Sequence, residues 1–324
     1  MKPSPDAQKD ASTPGMKRPH YTTPVRNIIR GDCELLVREA LAEDAPAGFA
    51  LDDPTTQAIF TAGERARARL IPRENGVLCG GPVVGVLNDV FGEIHGANTA
   101  LEINVNVADG GRFAPGDVLM ELSGPLRTLL RLERPALNFL QYLSGIATTT
   151  AGVVAAAGEG LAILDTRKTL PGYRRLAKYA VYCGGGTNHR IHLNDMVMIK
   201  DNHIAAAGGV RPAVAAIRER CPELPLNVEV DTLEQLDEVL PLEPDVVLLD
   251  NMRREAIASA LQRVEAHAAG GGRRPFIELS GGWKPEELHE LNDLSARGGL
   301  GVSMGFLTHT TRFLDLSLEI APES

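Results

Sequence analysis

Aromatic residues make up only 4% of this 324-residue chain, with a single tryptophan, so the core must be aliphatic and rich in alanine. Cysteine is scarce too. Cys33, Cys79, Cys183 and Cys221 are widely spaced and form no CxxC pair. That excludes zinc-ribbon and thioredoxin-like chemistry and fits a reducing cytoplasm. No apolar run approaches the ~18 residues of a membrane-spanning helix. No GxGxxG follows a strand-like segment, so a dinucleotide-binding fold lacks support. No repeat at a period of roughly 20–50 residues appears, which argues against a solenoid. The first twenty residues are polar and proline-containing without an apolar h-region, so they are not a secretory signal and read as a disordered tail. A net charge of -9 argues against general nucleic-acid binding.

What is present divides into two patterns. From about Tyr21 to Ala157 the reading is mixed: a helix over Cys33 to Leu41, and alternating strands at Ala66, Ala68, Leu70 and at Ile103, Val105, Val107. A short strand follows at Val118 to Leu122. A helical run from Pro125 to Ala157 carries expected interruptions at Arg134-Pro135 and Ser144-Gly145. From Leu161 onward short apolar segments alternate with amphipathic ones: Leu161–Leu164, Met196–Ile199, Leu226–Val230, Val246–Leu249, Phe276–Leu279 and Leu300–Val302. Strands separated by helices imply a parallel sheet.

Polar, charged or glycine residues follow each of these strands: Asp165 to Lys168, Lys200 to His203, Glu229 to Asp231, Asp250-Asn251, Ser280-Gly281-Gly282, and Ser303 to Gly305. In a parallel α/β barrel such ends converge on one face, where active sites are built, and helix N-termini there favour anions. An open doubly wound sheet would use the same ends. An incomplete barrel is the preferred reading.

The chemistry concentrates between Asp165 and Lys200. Seven basic residues (Arg167, Lys168, Arg174, Arg175, Lys178, Arg190, Lys200) face two acids, Asp165 and Asp195, a local charge of +5 in an acidic chain. Arg167, Lys168, His189, Arg190 and Lys200 form a cationic zone, and Glu229 and Asp250 an acidic one. A sugar phosphate needs both: carboxylates for its hydroxyls, and Lys, Arg and glycine-rich backbone for its phosphates. Ser280-Gly281-Gly282 and Gly305 suit a phosphate cradle. Bland readings stand beside these. Arg174, Arg175 and Lys178 read as a solvated helix face. The Gly184-Gly185-Gly186 triplet reads either as an anion cradle or as a helix C-cap. Asp201 and Asn202 read as caps of the next helix. Cys183 reads as a small buried thiol rather than a nucleophile. His189, His192 and His203 beside so many cations make a poor site for a dication.

DTRKTLPG, GGGTNHR, IKDNHI, VEVDTLEQL, LLDNM, ELSGG and SMGFLTH occur in this order, and together they resemble the quinolinate phosphoribosyltransferase family, from about Val25 to Asp315. The resemblance implies an α/β fold: a disordered tail at 1–20, an N-terminal α/β sandwich at 21–135, an incomplete parallel barrel at 136–310, and a segment at 311–324 that returns to the N-terminal domain. It implies a pentosyltransferase that joins 5-phosphoribosyl 1-diphosphate to quinolinate with loss of carbon dioxide, needs Mg2+, and works as a dimer or larger. By residue, it implies that Arg134 reaches a neighbouring subunit's site. Substrate binding falls to Arg134, Arg167, Lys168, His189, Arg190, Lys200, Glu229, Asp250, Ser280, Gly281, Gly282 and Gly305. Lys168, Glu229 and Asp250 are the catalytic candidates, the two acids serving the metal indirectly. A nicotinate-specific phosphoribosyltransferase is the alternative, and a non-catalytic metabolite sensor a further one.

Overall fold

A computed structural model describes residues 25–45 and 53–323. The tail expected at 1–20 lies outside the described residues. By contacts the chain divides into two units, each discontinuous in sequence. One takes in 24–152, 167–187 and 305–324; the other takes in 153–166 and 188–304.

The first unit holds helices α1 (Arg30–Asp44), α2 (Pro54–Ile59) and α3 (Gly81–His95), strands β1 (Arg65–Pro72), β2 (Gly76–Val77), β3 (Glu102–Val105), β4 (Arg112–Phe113) and β5 (Met120–Pro125), and most of α4 (Leu126–Ala157). Its four-stranded antiparallel sheet runs β12-β1-β5-β3, where β12 (Leu316–Pro322) is the last strand of the chain. Pairing of Leu70 with Leu318 and of Ala66 with Pro322 brings the C-terminal segment onto β1. Alternation decides which face is buried: Ala66, Ala68 and Leu70 point inward while Arg65, Arg67 and Arg69 are exposed. Leu70, Met120 and Leu122 from the sheet line one apolar interior with Val84 and Leu87 of α3 and Leu129 and Leu137 of α4. This is the N-terminal α/β sandwich that the family resemblance implies.

The expected breaks in α4 are absent: the helix is continuous over 32 residues with Pro135 inside it. Ser144 and Gly145 serve packing instead. Ser144 Oγ accepts from the Cys79 amide at 3.0 Å, and Gly145 lies where an added Cβ would collide with the Arg312 carbonyl oxygen. By length and composition α4 is also apolar enough to cross a membrane, which the sequence reading did not anticipate, although 61% of its apolar window is buried inside the protein. The 167–187 segment carries α5 (Arg174–Cys183), whose Arg175 pairs with Asp32 of α1 at 2.5 Å. Lys178 is fully buried rather than part of a solvated face. Gly184 caps α5, and it and Gly186 pack so closely on Thr150 of α4 that side chains at these two positions would clash. The short helix α11 (Phe306–His309) completes this unit.

The second unit contains strands β6 (Leu161–Leu164), β7 (Val197–Ile199), β8 (Leu226–Val230), β9 (Val246–Asp250), β10 (Phe276–Ser280) and β11 (Leu300–Ser303). Helices α6 (Asp201–Ala207), α7 (Val210–Arg220), α8 (Leu233–Val239), α9 (Arg254–Ala269) and α10 (Asn292–Ser295) connect them. All six expected strands form, in one parallel sheet ordered β6-β11-β10-β9-β8-β7. Sequence neighbours β6 and β7 lie at opposite edges, so the barrel stays open between them.

The register sorts the side chains. Asn227 pairs with Val246, Glu229 with Leu248, Glu278 with Leu248 and Ser280 with Asp250. Because alternate residues share a face, Asn227, Glu229, Asp250, Glu278 and Ser280 all project to one side. The other side carries Val228, Val230, Val247, Leu249, Ile277 and Leu279, all buried. Toward the strand starts the polar face becomes apolar, where Val246 and Phe276 pack with Leu164, Met196 and Met198.

Gly145→Ala tests the packing of α4. Alanine favours a helix over glycine by about 1 kcal/mol. The clash with Arg312 outweighs this, since overpacking costs about 1–3 kcal/mol. Urea denaturation is expected to show a net loss of stability; a gain would mean the Arg312 backbone yields freely.

Candidate active site

Eight of the expected site positions belong to the unit of the parallel sheet, and a buried carboxylate on β10 holds one of them, His189. His189 Nε2 lies 3.1 Å from Glu278 Oε2, and Asn227 Nδ2 donates to the same oxygen at 3.2 Å. His189 Nδ1 accepts the Arg190 amide at 2.8 Å. A nitrogen that accepts carries no proton, so Nε2 holds the hydrogen and donates it to Glu278. Glu278 is 1% exposed. Burial alone would raise its pKa, but the hydrogen bonds from His189, Ser303 and Asn227 hold it below the ordinary carboxylate range. The Ser303 hydroxyl has one proton to share, since it also reaches the Leu279 carbonyl at 3.3 Å.

Asp165, directly after β6, fixes the other side of the same segment. Its Oδ1 accepts the His189 amide and its Oδ2 the Asn188 side-chain amide, both at 2.7 Å. Arg190 then reaches over β7, donating through Nη1 to the Met196 carbonyl at 2.8 Å, with Nη2 3.7 Å from Met198 Sδ. Asp195 closes this loop by accepting the Ile191 and His192 amides, each at 2.8 Å.

Lys200 follows β7 at the start of α6. His203 turns back so that its Nδ1 accepts the Lys200 amide at 3.1 Å, while Asp201 Oδ1 accepts the Asn202 amide at 2.7 Å. Lys200 Nζ forms an ion pair with Glu229 Oε2. The lysine side chain is 45% exposed and the glutamate side chain 13%, so the pair sits at the mouth of the sheet edge. Thr232 and Gln235 exchange hydrogen bonds at the start of α8, fixing the turn after Glu229-Val230.

Asp250 ends β9, and its Oδ2 accepts from Asn251 Nδ2 at 2.7 Å. Asn251 adopts a left-handed φ of 52°, and its amide donates to the Ser280 carbonyl at 3.0 Å. A Cβ on Gly281 would lie 2.8 Å from the Asn251 Cα, so only glycine fits that turn. The Ser280-Gly281-Gly282 turn is thereby locked against the Asp250 turn.

The remaining positions belong to the other unit. Lys168 lies against Gly305, where an added Cβ would sit 3.0 Å from its Cδ, and its carbonyl accepts from Thr308 Oγ1 at 2.7 Å. Arg167 Nε is buried without a hydrogen-bond partner among the described residues. Arg134 is exposed on α4. That unit also holds Cys79, Asp109 and Cys183 with ligand atoms within 4.8 Å of one another, the one candidate metal trio among the described residues. Two thiols make it a soft set unsuited to Mg2+. Asp109 is already occupied, since it caps α3 through the Gly80 and Gly81 amides and accepts from Tyr179 Oη at 2.9 Å. Burial pushes the Cys79 thiol well above its ordinary pKa, against a nucleophilic role.

Sequence reasoning missed Glu278, Asn227 and the ordering role of Asp165. A signal existed: FIELS alternates, so Glu278 shares a strand face with Ser280.

The depressed pKa of Glu278 sets a pH dependence. Such a group adds stability above its unfolded pKa of ~4.3, and that stability is lost as pH falls toward the lower folded value. Urea midpoints measured stepwise from pH 5 to about pH 3 should fall more steeply for the unmodified protein than for Glu278→Gln. Equal slopes would mean that Glu278 is not ionised in the folded state.

Residues 53–144 match the family model described as quinolinate phosphoribosyl transferase, N-terminal domain, and 146–319 match its C-terminal domain. The chain is 42% identical over 299 residues to a nicotinate-nucleotide pyrophosphorylase [carboxylating] of Mycobacterium leprae, covering 89% of this chain and 99% of that one. It is 36% identical to a probable enzyme of the same name from Methanocaldococcus jannaschii, covering 88% and 96%. A crystal structure of NadC from Streptococcus pyogenes superposes with a TM-score of 0.82 at 36% identity, covering 92% of this chain and 99% of the other. With two domain models matched in order and relatives aligned over nearly their whole length, the chain belongs to the quinolinate phosphoribosyltransferase family.

Proposed function

We propose that the protein transfers the phosphoribosyl group of 5-phosphoribosyl 1-diphosphate to the ring nitrogen of quinolinate. The products are nicotinate mononucleotide, pyrophosphate and carbon dioxide, a step of de novo NAD synthesis. The observation that carries this reading is the Lys200–Glu229 ion pair beside Asp250, on the polar face of the parallel sheet in a chain of this family. A dianionic pyridine needs fixed cations, and a ribose needs carboxylates for its hydroxyls; this edge supplies both.

Arg190 and Lys200 hold the quinolinate carboxylates, together with Arg167 and with Arg134 from a neighbouring subunit of a homodimer or larger cytoplasmic assembly. Lys168 and the Ser280-Gly281-Gly282 and Gly305 turns receive phosphate groups. Positioning both reactants can lower a barrier by up to about 7–11 kcal/mol. The ring nitrogen bonds to the anomeric carbon as the bond to pyrophosphate breaks. Positive charge develops on the ribose, and Glu229 and Asp250 stabilise it. The new pyridinium then draws in the electron pair released when the adjacent carboxylate leaves as carbon dioxide, and that carbon takes a proton from water. No protein acid or base is required.

Glu229 and Asp250 offer hard carboxylate oxygens on adjacent strands, a donor set that suits Mg2+ held partly through water. A bound Mg2+ would neutralise the charge of the pyrophosphate leaving group.

Carboxyl-labelled quinolinate incubated with phosphoribosyl diphosphate and Mg2+ should release labelled carbon dioxide in step with nicotinate mononucleotide. Product formed from nicotinate alone, with no carbon dioxide from quinolinate, would replace the proposed substrate. Lys200→Ala should lower kcat/KM for quinolinate about ten- to a hundred-fold, the value of a charged hydrogen bond. Mixing Lys200→Ala with Arg134→Ala subunits should recover part of the activity, because a hybrid dimer contains one intact site. Absence of recovery would refute a shared site.

A further inference from the structure

His189 stands among the residues expected to touch substrate, yet both of its ring nitrogens are engaged within the protein. Nδ1 accepts the Arg190 amide, and Nε2 meets Glu278. The His189 side chain is 7% exposed. An imidazole held on both sides acts through what it holds. Glu278 is the anchor: a carboxylate fully inside a sheet is costly unless it is hydrogen-bonded, and an aliphatic residue would fill the same volume at lower cost. Its retention there fits a demand for orientation rather than for stability.

We propose that Glu278 is a positioning residue for phosphoribosyl transfer: it fixes the His189 imidazole, and thereby the Asn188–Arg190 segment and the Arg190 guanidinium that binds a pyridine carboxylate. Asp165 grips the same segment through the Asn188 side chain and the His189 amide. Two carboxylates, one on β10 and one just after β6, thus hold a three-residue stretch from both sides. Arg190 leaves this stretch with one terminal nitrogen already committed to the Met196 carbonyl, so its direction depends on where the stretch is held. A carboxylate at 278 accepts from His189 and from Asn227 at once. A glutamine there keeps the shape but loses the charge, which weakens the hydrogen bonds from His189 and Asn227 to the one oxygen they share.

The inference rests on the proposed activity, and the test separates the two. Steady-state kinetics are measured for the unmodified protein and for Glu278→Gln with quinolinate and with phosphoribosyl diphosphate. The variant is expected to raise KM for quinolinate about ten-fold or more while KM for phosphoribosyl diphosphate moves by less than about two-fold. A residue needed only for folding would lower the active fraction, and so apparent kcat, leaving both KM values in place; that result overturns the proposal. In a His189→Ala background the same substitution should change KM for quinolinate by less than about two-fold, because residues acting in series do not add. Full additivity would also overturn it. If Glu278→Gln gives no folded protein, Glu278→Asp, which keeps the charge but withdraws it by one methylene, is held to the same split in KM. Failure of the unmodified protein to consume quinolinate removes the activity and this role together, whereas normal turnover with an unsplit KM removes this role alone.

Discussion

Strand register is the constraint from which the site follows. In a parallel sheet, paired residues point the same way and alternate residues point oppositely. Once Glu229 pairs with Leu248 and Ser280 with Asp250, the polar residues of β8, β9 and β10 have no choice of face. A slip of one position would bury Glu229 under the helices and turn Val228 to the polar side. The apolar outer face, with Val247, Leu249 and Ile277 all at zero exposure, makes that slip very costly. Hydrophobic burial on one side therefore specifies chemistry on the other.

That chemistry is arranged in compensated groups. Glu229 faces Lys200, Glu278 faces His189 and Asn227, and Asp165 faces two amide donors. A carboxylate at such depth keeps its charge only when donors surround it. The result is a set of dipoles and charges held in place before any ligand arrives, so little reorganisation is needed when charge develops on a sugar. Glycines act in the same sense at the sheet edge. Gly281 lets the β10 turn lie on the Asn251 backbone, fixing two turns as one body.

Much of this was legible in the sequence because periodicity and strand-end chemistry are local signals. The six parallel strands were readable from short apolar segments of three to five residues, each followed by polar, charged or glycine residues. The continuity of α4 was not. Pro135 is a local breaking signal, and the packing around the helix, including Arg312 against Gly145, overrode it. Lys178 looked like a solvated charge because helical spacing placed it beside Arg174 and Arg175; its full burial comes from elements distant in sequence. Glu278 was hidden for a similar reason. Its partners His189 and Asn227 lie 89 and 51 residues away, and only the sheet brings them together.

The local excess of positive charge consequently overstates the charge available to a ligand. Of the seven basic residues between Asp165 and Lys200, Lys178 is fully buried in its own unit and Arg175 is paired with Asp32. Arg190 and Lys200 remain at the sheet edge, with Arg167 and Lys168 in the other unit. Lys200 is itself neutralised by Glu229. Under the proposed function, binding a dianion would exchange one carboxylate partner of Lys200 for another and release Glu229 toward a ribose hydroxyl. On that assignment, affinity would depend less on the total of positive residues than on whether the ligand can displace an internal acid from its lysine.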